Sequence, residues 1–261
     1  MNLKLLINRL ERAYFLLRSP IAMNAFLRHK VLAGNEHRHV LPPSLKTIID
    51  IGANRGQFTL AARIWAPQAQ IIAFEPLTQA ANLFTKIFSN DAQVILHQIA
   101  IGSESKSMEM HISAKDDSSS LLSLSELQTT MFPFTAEIGK TSVLVRPLSS
   151  VISGEDIQRP ALLKLDVQGY EYEALVGSLE LLPNIDFIYC ECSFLEFYTG
   201  QKLAHHVISL LENNGFILAG LYNASYDENG RCIQADFLFQ NLITSPVHES
   251  ANALPISDSE Q

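Results

Sequence analysis

Acids stand at the ends of apolar runs throughout this chain. Asp50 interrupts Thr47-Ile-Ile-Asp-Ile-Gly-Ala-Asn-Arg-Gly56, and Glu75 closes Ala69-Gln-Ile-Ile-Ala-Phe74. Asp166 closes Ala161-Leu-Leu-Lys-Leu165, and Glu191 closes Ile185 to Cys190. In a parallel α/β sheet such positions share one crevice at the carboxyl ends of the strands. Gly52 and Gly56 let the backbone bend and approach a ligand, and the helix that follows offers its first amides to polar groups. Glu75 follows Gly56 by 19 residues. That spacing places a carboxylate where it accepts both hydroxyl protons of a ribose. The first group of ligand contacts is therefore Asp50, Gly52, Ala53, Asn54, Gly56, Phe58, Glu75 and Pro76.

The motif discriminates between ribose-bearing cofactors. A dinucleotide fingerprint, G-x-G-x-x-G, needs its second glycine for a pyrophosphate. Here the pattern is D-x-G-x-x-x-G, without that glycine and with a carboxylate before the turn. A carboxylate repels a pyrophosphate but holds an ammonium. S-adenosylmethionine carries an amino-acid tail and no phosphate, so the residues favour it over NAD.

A second group bears on the chemistry itself. Asp166 faces the same crevice as Asp50 and is the first candidate for a general base that takes a hydroxyl proton; Glu191 is the second. The two together could instead ligate a divalent metal, since carboxylate oxygens suit magnesium. Glu171 reads as a first-turn helix acid. Asp236 interrupts an apolar strand and is a further candidate for the site wall. His205 and His206 are adjacent on a helix and read as surface or packing residues.

These residues need a scaffold, and the periodicity supplies it. Strands are expected at 47–51, 69–74, 94–101, 161–165 and 185–190, with helices at 57–65, 77–88, 170–182 and 203–211. The third strand closes with Ala100-Ile101-Gly102, and in such a fold that end lies beside the adenine. A hairpin joins 215–219 to 233–240 through Asn229-Gly230. Residues 103–113 alternate as an exposed strand and pair with 143–145. The loop 116–120, with Ser119 and Ser120, is either a plain turn or a flap over the cofactor, and 121–140 reads as a possible lid.

Bulk properties set limits. The chain has 261 residues, 47% apolar and 18% charged, with a net charge of −8. Its pI is near 5.5. An acidic balance argues against a nucleic-acid partner. The three cysteines, Cys190, Cys192 and Cys232, include no C-x-x-C pair, which points to a reducing, cytoplasmic setting. Cys190 and Cys192 are expected on opposite faces of a strand, and so not as a metal knuckle. Residues 1–30 differ: Lys4, Arg9, Arg12, Arg18, Arg28 and Lys30 face one acid, Glu11. Leu3, Leu6, Ile7, Leu10, Tyr14 and Leu17 share one helical face. That segment is a packed helix or a peripheral membrane contact. Val40-Leu-Pro-Pro-Ser44 reads as a linker. The expected division is an N-terminal helical extension over 1–40, a domain over 41–244 and a disordered tail over 245–261.

Taken together, Ile49-Asp-Ile-Gly-Ala-Asn-Arg-Gly-Gln-Phe58, Phe74-Glu-Pro76, Leu163-Lys-Leu-Asp-Val-Gln-Gly-Tyr-Glu171 and the hairpin at Gly215-Phe216 resemble the FkbM family of S-adenosylmethionine-dependent methyltransferases. Ser119-Ser120-Leu121 falls where that family carries a Ser-Ser-Leu element. The resemblance implies a class I fold: a doubly wound, mostly parallel seven-stranded sheet with an antiparallel C-terminal strand. It implies methyl transfer to a hydroxyl of a small-molecule or saccharide acceptor (a sugar, glycan or natural product). Two rival readings stand beside it, an NAD-dependent oxidoreductase and a non-catalytic module that binds the cofactor as a scaffold.

Overall fold

The computed structural model describes residues 19–114, 118–132 and 134–242. The basic helix expected at 3–17, and with it the membrane contact, lies outside the described residues, as does the tail.

Strand β1 (Thr47–Ile51) is buried along its whole length and lies inside a seven-stranded sheet, two strands from one edge. It pairs in parallel with β2 (Gln70–Phe74) on one side and β7 (Ala161–Leu165) on the other. Strand β3 (Val94–His97) extends the first side, and β8 (Phe187–Ser193) the second. The chain thus winds outward from β1 in one direction and returns to wind in the other. The β1/β7 boundary is the switch point at which such sheets bind ligands. The hairpin β9 (Phe216–Tyr226) and β10 (Cys232–Asn241) completes the order β3-β2-β1-β7-β8-β10-β9, with β10 antiparallel to both neighbours.

Alternation along each strand sends side chains to two cores. Ile48, Leu162 and Tyr189 join Phe58 and Ala61 of helix α2 (Gln57–Trp65) on one face. Ile49, Leu163 and Ile188 join Ala174 and Leu175 of helix α5 (Glu171–Val176) and Val207 and Leu211 of helix α6 (Ala204–Glu212) on the other. Helix α3 (Thr78–Phe88) packs Phe84, Ile87 and Phe88 against Leu60 and Ala73. Ahead of β1, helix α1 (Pro20–Asn24) leads to a 3₁₀ segment, Asn35–Val40. Val40, Leu41 and Leu45 are buried with Ile48, so the stretch that reads as a linker is part of the core. Their apolar side chains outweigh the turn-forming prolines between them.

Several local expectations need correction. The third strand stops at His97; Ala100–Ile101 forms a separate strand, β4, in a second sheet of order β4-β6-β5. There β5 (Lys106–Ser113) pairs antiparallel with β6 (Glu137–Arg146). His111, expected outward, is buried. Its Nδ1 lies 2.6 Å from the Glu137 carboxylate, so a partner makes the burial tolerable. Helix 170–182 ends at Val176 and resumes as a 3₁₀ turn, Leu179–Asn184, around Pro183. Strand β8 runs through Glu191 to Ser193, because β10 pairs with it that far. Cys190 and Cys192 share one face and one core, as residues two apart on a strand must. Residues 121–140 are partly helical, with α4 at Glu126–Met131 capped by the Ser125 hydroxyl.

Candidate active site

The turn after β1 is shaped by what lies against it. Gly52 has φ +79°, and a Cβ there would sit 1.9 Å from the Asp166 carbonyl oxygen. No side chain fits. Gly56, at φ +91°, faces away from the cavity, and a Cβ there would strike the Phe88 ring at 2.5 Å. Its role is to let the turn pack on α3.

A cavity of about 270 Å³ opens over this turn. Gly52, Ala53, Asn54, Phe58, Glu75, Pro76, Ala100, Ser119 and Asp166 line it. Of the residues expected there from sequence, Asp50, Gly56 and Ser120 are not on its wall. Asp50 is fully buried beneath the turn. It accepts a hydrogen bond from the Thr59 hydroxyl (2.8 Å) and pairs with Lys164 Nζ at 3.0 Å. It therefore does not face a ligand's ammonium; its charge holds Lys164. Ser120 is also buried and donates to the Gln168 carbonyl at 2.6 Å, fixing the loop.

Lys164 is the central cation. Burial opposes its charge, but Asp50, Asp166 and Asp236 outweigh that and raise its pKa above the usual lysine value. Its ammonium also donates to the carbonyls of Gly52 (2.9 Å) and Ile51 (3.4 Å) and lies over the Phe58 ring. A lysine breaking the apolar run of β7 was the signal for it.

Glu75 is 5% exposed. Its two oxygens accept from the Leu77 amide (2.8 Å) and the Asn54 amide (2.9 Å). Burial is the main cause that lifts its pKa to about 7, although both amides pull it down. Each oxygen accepts one backbone amide and has a further lone pair. Asn54, in the left-handed region at φ +46°, has a buried Oδ1 with no hydrogen-bond partner. The cavity therefore offers acceptors and an adenosine-sized recess, and no cluster of bare cations for a pyrophosphate. The donor set fits a nucleoside bearing an amino-acid tail.

Beyond Asp166 lies a second cavity, of about 490 Å³. Asp166 and Gln168 line both. Glu191, Tyr198, Phe132, Phe134, Phe197, Met131 and Gln128 line the second alone. Gln168, at φ +54°, turns its amide between the two acids. Its Nε2 donates to Asp166 Oδ1 at 2.8 Å and Glu191 Oε2 at 3.1 Å, and its Oε1 accepts from the Tyr198 hydroxyl at 2.8 Å. Burial, then the charges of Asp166, Glu171 and Asp236, push Glu191 well above the carboxylate range. Glu171, raised by burial to about 7, accepts from the amides of Val167 (3.0 Å) and Gly169 (3.1 Å). It ties down the turn that carries Asp166 and Gln168, which is more than a helix first-turn role.

Asp236 is not on either cavity wall. It accepts from the Tyr189 hydroxyl (2.7 Å) and Asn223 (2.8 Å), deep in the sheet face. Among the described residues there is no group of acids, histidines and cysteines able to hold a metal ion. Within the same residues, no helix is long and apolar enough to cross a membrane. Tyr198, Phe132 and Phe134 had no period or motif that marked them as site residues, and Gln168, though inside the Leu163–Glu171 motif, was not singled out.

A doubly wound sheet with an acid-flanked glycine turn at its switch point, and an antiparallel strand inserted near one edge, defines the class I methyltransferase fold. Within that class, the profile of the methyltransferase FkbM domain matches residues 50–218, and the chain belongs to that family. The chain is 28% identical over 170 residues to 2-O-methyltransferase NoeI of Sinorhizobium fredii, covering 63% of this chain and 70% of the relative. It is 29% identical over 210 residues to Methyltransferase 1 of Beauveria bassiana, covering 73% and 80%. Among solved structures it is similar to magnesium protoporphyrin IX methyltransferase from Synechocystis, at 9% identity and a TM-score of 0.44, covering 89% of this chain and 96% of the other.

Proposed function

We propose that this protein transfers a methyl group from S-adenosylmethionine to a hydroxyl oxygen of a saccharide or related polyhydroxylated small molecule. The observation that carries this reading is the shared wall: Asp166 and Gln168 line both the nucleoside-type cavity and the second cavity. A donor and an acceptor bound on either side meet at Asp166.

In this reading the Gly52 to Gly56 turn and Asn54 hold the amino-acid end, Glu75 the ribose, and Ala100 and Ser119 the base. When bound, the cofactor supplies an electrophilic methyl. The chain's own residues place the acceptor in line with it, and positioning provides most of the acceleration. Asp166 takes the hydroxyl proton. Glu191, whose burial disfavours ionisation, donates a hydrogen bond to an acceptor oxygen instead. The second cavity sets Phe132, Phe134 and Phe197 beside acids and amides, which suits a sugar ring with apolar faces and a hydroxyl edge. The relative named a 2-O-methyltransferase agrees with oxygen as the acceptor. Residues 41–244 make up the catalytic domain in this assignment, with 1–40 as an extension. The free cysteines, Cys190 and Cys192 buried and Cys232 partly so, agree with a cytoplasmic setting.

The test is Asp166→Asn with a saccharide panel. The substitution is expected to abolish turnover while the protein still binds S-adenosylmethionine; retained turnover removes Asp166 from the base role. A wild-type protein that binds the cofactor and methylates nothing in the panel supports the scaffold reading instead.

A further inference from the structure

The amino-acid tail of the methyl donor carries a carboxylate as well as an ammonium, and the cavity must meet both. Among the described residues lining it, the side chains with basic nitrogens are Lys164 and His37. A lysine has three N–H donors. Those of Lys164 are engaged by the Asp50 carboxylate and the carbonyls of Gly52 and Ile51, and the side chain is almost wholly buried. It has nothing left for an incoming anion. His37 does.

His37 belongs to the 3₁₀ segment Asn35–Val40, ahead of the first strand. Its backbone amide bonds to the Gly34 carbonyl, and the Gly34 amide bonds to the Gln57 carbonyl at the start of α2, which anchors the segment beside the glycine turn. The ring packs edge-on against Phe58 and Tyr189. Hydrogen-bond accounting fixes one nitrogen. The Tyr189 hydroxyl gives its single proton to Asp236 (2.7 Å), so its oxygen accepts from His37 Nδ1 at 3.1 Å. Nδ1 therefore carries a hydrogen. Nε2 is the remaining nitrogen, and its nearest anionic partner is the half-exposed Glu36 carboxylate at 3.9 Å, beyond hydrogen-bond length. Glu36 can swing into solvent; His37 is held by Tyr189, Asp236 and Phe58.

We infer that His37 is a cofactor-binding residue: with Nδ1–H kept on the Tyr189 oxygen, Nε2 takes a proton from solvent as the methyl donor binds and donates it in a hydrogen bond to the carboxylate of the amino-acid tail, with the segment 35–40 forming that end of the site. This rests on the S-adenosylmethionine reading above. A charge-assisted hydrogen bond from a held imidazolium to a carboxylate is among the stronger polar contacts a site can make. It also explains why the segment preceding β1 is tied to the core through Val40 and Leu41.

The test compares two ligands that differ only in the carboxylate, S-adenosylmethionine and its decarboxylated form, by calorimetric titration of the full chain. Wild type is expected to bind the intact cofactor at least about tenfold more tightly, the span of one good charged contact. His37→Ala is expected to remove most of that difference and to leave the affinity for decarboxylated cofactor within about twofold. His37→Gln keeps a neutral donor and falls between. Equal loss for both ligands in His37→Ala would show a purely structural role and overturn the inference, as would an undiminished difference. Wild type that binds neither ligand overturns the S-adenosylmethionine reading itself, and this inference with it.

Discussion

The two cavities that meet at Asp166 are built in opposite ways. The donor cavity is built on the ends of β1, β2 and β7, adjacent strands of one sheet, and is closed by Glu36, His37, Ser119, Leu121 and Tyr170 from flanking segments. The acceptor cavity is lined mainly by side chains from outside the sheet: Ser118, Gln128, Met131, Phe132, Phe134 and Thr135, Gln168 in its turn, and Phe197 and Tyr198 after β8. One is set by the sheet and tolerates little; the other is set by inserted segments and can vary without disturbing the sheet. In the proposed function, cofactor recognition and acceptor choice are thus carried by different kinds of structure, joined by one acid and one amide.

Substitutions should separate the two. The largest effect is expected at the junction: Asp166→Asn should lower turnover by about 10²–10⁴-fold, the range of a lost general base, with cofactor affinity nearly intact. Next, Gly52→Ala strikes the rigid half. A Cβ 1.9 Å from the Asp166 carbonyl cannot be accommodated, and a stability loss of about 3 kcal/mol is expected in chemical denaturation. A wild-type midpoint in that variant would mean the turn is softer than its packing indicates. In the variable half, Phe134 is 87% exposed at the rim. Phe134→Ala should raise the acceptor KM by roughly the worth of one aromatic contact, about 0.5–1.5 kcal/mol, and leave cofactor binding alone.

The smallest expected effect is a proton. Burial raises Glu75 to about 7 in the free protein. An acid with a raised pKa keeps its proton in the fold at pH values where the unfolded chain has lost it, so its contribution to stability falls as pH rises from the ordinary carboxylate range to about 7. A ribose that donates two hydroxyl hydrogens favours the ionised form. Cofactor binding should then release most of a proton at pH 6 and little at pH 8, read from calorimetry in buffers of different ionisation enthalpy. Proton uptake, or no buffer dependence at pH 6, would remove Glu75 from the ribose role.

The same contrast governs what the sequence made legible. Strands β1, β2 and β7 are short β-branched or leucine runs ending in turns, and their order of winding follows from the connections between them. Glu75 and Asp166 were legible because an acid ending an apolar strand has few structural uses. Asp50 looked the same from sequence, yet it pairs inward with Lys164 of the neighbouring strand, a register partner no local pattern reveals. Gln168 and Tyr198 are brought together from 30 residues apart by backbone turns, and His37 reaches Tyr189 from 152 residues away. Such contacts belong to tertiary packing, and periodicity carries no trace of them.

The most direct measurement is calorimetric binding of S-adenosylmethionine to wild type, Glu75→Ala and Phe134→Ala, one variant from each half. Saturable binding that weakens about 10- to 100-fold in Glu75→Ala and is unchanged in Phe134→Ala is the predicted result. No binding to wild type, or equal affinity in wild type and Glu75→Ala, would contradict the assignment of the donor cavity.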